Sequence, residues 1–391
     1  MSKTDKLDFV TKALQKRKEE YKFRSLFPGE HVFSEARIKR SGKELINFCS
    51  NDYLGLATSP TVVERSALYT RSYGAGSSSS RLISGTLTIH DKLEQKLATL
   101  FETEAVLIFN SGFQANTSIL ATVADRNSLI LADKKVHNSL IQGALLSKAT
   151  FKRFNHNDYS HLERLLQEAQ ESTYNRIWVV TETVFSMDGD RADMSRLVAL
   201  TEEYGALLYS DDAHAVGVWG EKGLGFNPGL SEIDLSIGTF GKSFGAFGAY
   251  VACTHTMKEF LINFCPGFIY TTALPPGIIG AIDSAADLIP TMHKQRVQLY
   301  NTIASVRTEL QSIGFDTGYS DTQIIPLIIG SEEATIQLAS YLEEHNILAT
   351  AIRPPTVEAG ASRVRLTLTL DHTPDDVDHL LKTLANWKNH G

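Results

Sequence analysis

The stretch AVLIFNSGFQANTSILATVADRNSLILA, residues 105–132, sets the pattern for the whole chain. AVLIF at 105–109 and SLILA at 128–132 are continuous apolar runs, too short for a helix. Such runs mark strands buried on both faces. Between them SGFQAN, 111–116, opens a helix. Upstream, Ile89, Leu93, Leu97 and Leu100 recur at helical spacing. Downstream, RIWVVTE at 176–182, ALLYS at 206–210 and DLSIGT at 234–239 repeat the strand signature, with helical segments between the earlier ones. Strands alternating with helices predict an α/β fold with a mostly parallel sheet covered on both faces.

The ends of the chain follow other rules. Residues 5–24 carry Leu7, Val10, Leu14 and Tyr21 among many charges, which predicts a polar helix docking by one narrow apolar stripe. Glu44 to Cys49 reads as a short strand. Past about residue 285 a long helical stretch leads to IIPLIIG at 324–330 and then to a helix that Ser331 caps, with Glu332 and Glu333 in its first turn. In RVRLTLTL, 363–370, Val364, Leu366, Leu368 and Leu370 alternate with Arg363, Arg365, Thr367 and Thr369, so one face is expected in the core and the other in water. Thr373-Pro374-Asp375-Asp376 starts a last helix with Val377, Leu380, Leu381, Leu384 and Trp387 as its stripe. The expected division is an N-terminal segment, 1–45, a large domain, 46–285, and a small α+β C-terminal domain, 286–391.

Composition narrows the function. Against 45 acidic residues stand 38 Lys and Arg, a net charge of −7. That argues against binding nucleic acid or an anionic membrane, which needs cationic side chains to displace counterions. Cys49, Cys253 and Cys265 show no CxxC spacing, so neither a disulfide framework nor a thiolate zinc site is expected. A reducing cytoplasm fits. The start, MSKTDKLDFV, has acidic residues where a signal or transit peptide has none, and no such leader is expected. Phe260 to Ile282 lacks any charge, but Pro275-Pro276 would break a spanning helix; it is expected as buried or interface loop. His156 and His161 have no HExxH-like surroundings, and no metal is assigned.

Several residues could carry chemistry. Gly241-Lys242-Ser243 resembles the end of a phosphate loop, but Ser236 stands where its first glycine must be. Gly74-Ala75-Gly76 has no preceding strand and makes no dinucleotide fingerprint. Lys242 instead follows an apolar strand in the small-residue loop IGTFGKSFGAFG, where a poorly hydrated amine becomes a nucleophile. Asp211 and His214 follow ALLYS, at the strand end where such sheets present functional groups. A carboxylate there can hold a protonated ring nitrogen, as pyridoxal phosphate requires of an electron sink. Ser111-Gly112-Phe113 would turn backbone N–H groups toward a phosphate. His137, expected on a helix after a strand, could stack on a flat cofactor. Taken singly, each is as well read as an ordinary loop, cap or core residue.

Together they resemble the α-oxoamine synthase family of fold-type I pyridoxal-phosphate enzymes, over nearly the whole chain. The matching stretches are FCSNDYLGL at 48–56, SGFQAN at 111–116, ETVFSMDGD at 182–190, DDAH at 211–214, TFGKSFG at 239–245, IYTTALPP at 269–276 and AIRPPTV at 351–357. The resemblance implies a seven-stranded sheet between helices in the large domain and a homodimer with its active site at the subunit interface, near Tyr270 to Thr272. It implies Lys242 as the lysine that binds pyridoxal 5'-phosphate covalently and Asp211 as partner of the pyridine nitrogen. His214 and Ser186 would lie near the ring hydroxyl, His137 on the ring face, and Gly112, Phe113 and Thr239 around the cofactor, Thr239 at its phosphate. Arg365 would grip the amino-acid carboxylate, with Arg24, His137 and Thr356 also contacting substrate.

The implied reaction is a decarboxylative condensation of L-alanine with a pimeloyl thioester carried on coenzyme A or acyl carrier protein. Related synthases use glycine or another amino acid with a different acyl group, and an aminotransferase or a non-catalytic partner subunit would keep the same fold. Two stretches depart from the family pattern: the serines of GAGSSSSR at 74–81, and Ala215-Val216 after DDAH.

Overall fold

The computed structural model describes residues 5–33 and 35–390. It divides the chain into two compact units, one of residues 51–186 and 190–299, the other of residues 1–50, 187–189 and 300–391. The residues before position 51 thus fold with the C-terminal part of the chain.

The first unit is built on seven strands: β1 (Ala105–Phe109), β2 (Ser128–Asp133), β3 (Thr150–Phe154), β4 (Arg176–Glu182), β5 (Leu207–Asp211), β6 (Leu235–Thr239) and β7 (Ala249–Cys253). Their order in the sheet is β1-β7-β6-β5-β4-β2-β3. Pairing is parallel from β6 through β3, while β7 runs antiparallel to both neighbours. The reading as a mostly parallel sheet holds. β3 and β7 were not among the expected strands.

Alternate side chains of the central strands enter opposite cores. Phe109, Ile130, Trp178, Val180, Tyr209 and Ile237 join one cluster with Ile119, Leu120 and Leu140 of the covering helices. Leu129, Leu131, Val179 and Leu208 join the other with Leu162, Leu166, Leu197 and Leu200. Each such side chain fully buried is worth about 1.5–3 kcal/mol, which is why these strands need no polar face.

The uncharged stretch 260–282 is mostly helical, contrary to the expected loop: it spans the end of the helix His255–Phe264, a short helix Pro266–Ile269, and the start of Pro276–Leu288. Proline is tolerated here because it stands in the first turn, where its missing N–H costs nothing. No helix among the described residues is long and apolar enough to cross a membrane.

The second unit holds a three-stranded antiparallel sheet in which β10 (Ser362–Thr367) lies between β8 (Ile324–Gly330) and β9 (Thr350–Ile352). The two-faced reading of RVRLTLTL fails: residues 362–369 are all buried, both arginines included. Arg363 is tolerated inside because its guanidinium meets Asp188 at 2.9 Å and the Met187 carbonyl at 3.2 Å. The N-terminal helix runs over Asp8–Glu19 and buries no residue. Its expected stripe is undocked in the single chain, with Leu7 54% and Leu14 48% exposed, and Tyr21 lies beyond its end.

Candidate active site

The C-terminal ends of β1, β4, β5 and β6 bring one set of chemically distinctive side chains into the first unit. Asp211 ends β5 and is 7% exposed. Its Oδ1 accepts from the Ala213 N–H at 3.0 Å, and its Oδ2 accepts from the Asn116 amide at 2.7 Å. Asn116 is in turn fixed by Tyr209, whose hydroxyl donates to Oδ1 at 2.9 Å, and by Ser139 Oγ at 3.0 Å. Two donors hold this carboxylate in one orientation.

Beside it in the sheet, Glu182 ends β4 in register with Asp211. Burial and the charge of Asp211 push its carboxyl far above the ordinary range, against the opposing effects of Lys242 and of the His137 N–H that donates to Oε1. Glu182 therefore keeps its proton to higher pH than an ordinary carboxyl does. His137 caps the helix Asn138–Ser147 instead of lying within it, and its Nδ1 meets Ser139 Oγ at 2.8 Å. Burial lowers its pKa despite Asp211, and Lys242 lowers it further, so the neutral imidazole is favoured on a residue that remains exposed.

Lys242 follows β6 in a tight loop whose Gly245 N–H returns to the Lys242 carbonyl at 2.8 Å. Gly245 has φ +60° and sits so close to Leu56 and Ala57 that a Cβ would lie 2.2 Å from a backbone nitrogen. Only glycine allows this approach. Thr239 Oγ1 donates to the Gly248 carbonyl at 3.0 Å and accepts from the Gly241 N–H at 3.2 Å. A Cβ at Gly112 would touch that threonine at 3.8 Å. Gly112 thus brings the N-terminus of the helix Gly112–Val123, capped by Ser111, against Thr239, with Phe113 exposed beside it. His214, 6% exposed, meets the Tyr53 hydroxyl through Nδ1 at 2.6 Å. Ser186 is buried in the loop after β4.

Every cofactor residue expected from the sequence, Gly112, Phe113, His137, Ser186, Asp211, His214, Thr239 and Lys242, belongs to this one unit. Their chemistry fits pyridoxal phosphate. A doubly anchored carboxylate can pair with the ring nitrogen, an amine can take the aldehyde, and a glycine-opened helix N-terminus can receive the phosphate.

Of the four expected substrate residues, His137 belongs to this unit as well, while Arg24, Thr356 and Arg365 belong to the other. There Arg24 and Thr356, 332 positions apart, are joined by a bond from Nη2 to Oγ1 of 3.2 Å. Arg365 is 7% exposed on β10 and donates to Thr367 Oγ1 at 2.8 Å.

Four features escaped sequence reading. Asn116, Glu182 and Tyr53 lie inside quoted stretches, yet their partners are far away in the chain. The fourth is His156, which bridges Asp133 at 2.9 Å and Asp190 at 2.7 Å. Burial opposes its charge, but the two carboxylates raise its pKa to about 9. Ala215 and Val216, which depart from the family pattern, are fully buried. Among the described residues no group of His, Cys, Asp and Glu could hold a metal.

A family model described as aminotransferase class I and II matches residues 43–384. A Desulfosudis oleivorans protein that carries the name 8-amino-7-oxononanoate synthase provisionally is 46% identical over 383 residues, covering 98% of this chain and 99% of its own. The 8-amino-7-oxononanoate synthase of Gluconacetobacter diazotrophicus is 43% identical over 362 residues, with 90% and 91% covered. A solved structure of SPT, serine palmitoyltransferase, with PLP internal aldimine superposes with a TM-score of 0.91 at 27% identity, over 99% of this chain and 98% of that one.

Proposed function

The chain belongs to the class I and II aminotransferase family and is a transferase that uses pyridoxal phosphate, and from that premise we propose that it condenses L-alanine with a pimeloyl thioester. The products are 8-amino-7-oxononanoate, carbon dioxide and the free thiol of coenzyme A or acyl carrier protein. The observation that carries this reading is the doubly anchored Asp211 with Lys242, His137 and His214 in one unit, in a chain whose relatives bear that name.

When bound, the cofactor supplies a sink for the electron pair left on the amino acid's α-carbon. The chain's own residues do the rest. Asp211, oriented by Asn116 and by the Ala213 N–H, would face the ring nitrogen and hold its proton. Lys242 would anchor the cofactor through its amine and, as general base, would take the α-proton and return one. His137, whose pKa is lowered by burial, would offer the ring a flat neutral imidazole. Arg365, Arg24 and Thr356 are assigned to substrate; for Arg365 the forked guanidinium suits a carboxylate. We further assign a cytoplasmic homodimer, with the exposed Tyr270 to Thr272 region at its interface.

The test is an assay of the purified protein with alanine, glycine or serine against pimeloyl-, acetyl- or palmitoyl-coenzyme A, following thiol release and product mass. Alanine with pimeloyl-coenzyme A should give the highest kcat/KM. A higher value with serine and a long acyl chain would replace this reading by the second one, which the TM-score of 0.91 to serine palmitoyltransferase favours. Keto acid formed without thiol release would indicate transamination.

A further inference from the structure

We propose that Tyr53 is a positioning residue that decides which nitrogen of His214 carries the proton, so that His214 meets the cofactor as an N–H donor through Nε2. Tyr53 is 0% exposed and comes from the NDYLGL loop, 161 positions before His214. Its hydroxyl lies 2.6 Å from His214 Nδ1 and 3.2 Å from Asn51 Oδ1. A phenol has one proton to give, and these two acceptors compete for it.

The imidazole nitrogen is both nearer and the stronger base, so the phenol O–H donates to Nδ1 and its approach to Asn51 is the weaker contact. An imidazole that accepts at Nδ1 carries its own hydrogen on Nε2. Nδ1 is occupied by Tyr53, and whatever His214 offers the cofactor is therefore offered from Nε2 as a donor. Such a donor suits the anionic ring oxygen of pyridoxal phosphate. In the reverse arrangement Nδ1–H would donate to the phenol, the phenol to Asn51, and Nε2 would be a bare acceptor facing an oxygen anion.

The proposal rests on the placement of His214 at the cofactor and is independent of the amino acid or acyl chain used. The experiment is nitrogen NMR of the full-length, cofactor-loaded protein labelled at histidine, with the His214 signals identified by their loss in His214→Gln. Nδ1 should resonate as an unprotonated acceptor and Nε2 as an N–H. The opposite pattern in the wild-type protein overturns the proposal, whatever any variant does.

Tyr53→Phe keeps the ring packing and removes the hydroxyl. It should mix the two forms, lower kcat/KM about tenfold as expected for one lost hydrogen bond, and leave the melting temperature within a few degrees. With weaker donation the ring oxygen becomes more basic, so the pH midpoint of the visible absorption band should move upward. A Tyr53→Phe protein with wild-type midpoint and wild-type His214 signals would also overturn the proposal. Borohydride trapping of the cofactor on Lys242 is read in the same samples, so loss of the cofactor site itself is distinguished from a wrong proton placement.

Discussion

The Asn116 amide donates to Asp211 Oδ2 at 2.7 Å across 95 positions of sequence, and so ties the helix after β1 to the carboxylate that ends β5. The orientation of Asp211 is thereby set by a neutral residue whose own geometry is fixed by Tyr209 and Ser139. Asn116→Ala removes one donor from a buried anion, a loss of about 1.5–3 kcal/mol for a hydrogen bond to a charged group. Titration with pyridoxal phosphate should show weaker cofactor binding, and kcat should fall about 10- to 100-fold.

Lys242 is assigned two tasks, anchor and base. Lys242→Ala should therefore lose more than the roughly 10²- to 10⁴-fold typical of one acid-base group. It should also lose the visible band that borohydride bleaches. Retention of more than about a tenth of wild-type kcat would remove Lys242 from both roles.

Arg365→Met tests the substrate side. The replacement keeps apolar bulk at a buried position and removes the forked donor. KM for the amino acid should rise roughly 10- to 100-fold, with KM for the acyl thioester little changed, as expected for loss of a charge-assisted pair. Equal changes in both constants would point to a structural role.

Glu182 makes stability depend on pH in a defined direction. Its carboxyl titrates near 4.5 when unfolded and well above that when folded, so the folded state binds more protons across the interval between. The stabilisation is complete below about pH 4.5 and is lost as pH rises through the folded value. Glu182→Gln keeps an oxygen to accept the His137 N–H and cannot ionise. Its melting temperature, relative to wild type, should rise as pH increases above about 4.5.

His156 gives the same sign from a cation. Its pKa is raised from 6.5 to about 9 by Asp133 and Asp190 against the cost of burial. The contribution is full below pH 6.5 and disappears as pH rises through about 9. His156→Gln leaves two carboxylates facing each other and should cost about 3 kcal/mol in denaturant unfolding at neutral pH. The gap to wild type should narrow above pH 9.

Much of this was legible in the residues. AVLIF, SLILA and RIWVVTE announce buried strands because a continuous apolar run cannot face water, and they lie where expected. The edge strand β3, TFKRF, was missed because charged side chains on an exposed edge blur the signal. The antiparallel direction of β7 was missed because five apolar residues carry no sign of direction. RVRLTLTL misled for another reason: alternation marks polarity, and an arginine paired inside, as Arg363 is with Asp188, looks the same in sequence as one in water.

The sequence by itself determined the alternation of strands and helices, the positions of Lys242, Asp211, His214 and His137, and the glycines that open the loops around them. These are local properties of side-chain polarity and backbone freedom. Only the tertiary structure decided that Asn116 orients Asp211, that Tyr53 occupies one nitrogen of His214, that the Glu182 carboxyl is pushed up by burial, and that His156 is a clamped cation. The physical reason is common to all four: a group's charge and proton are set by what surrounds it in space, and those neighbours lie 23 to 161 positions away along the chain.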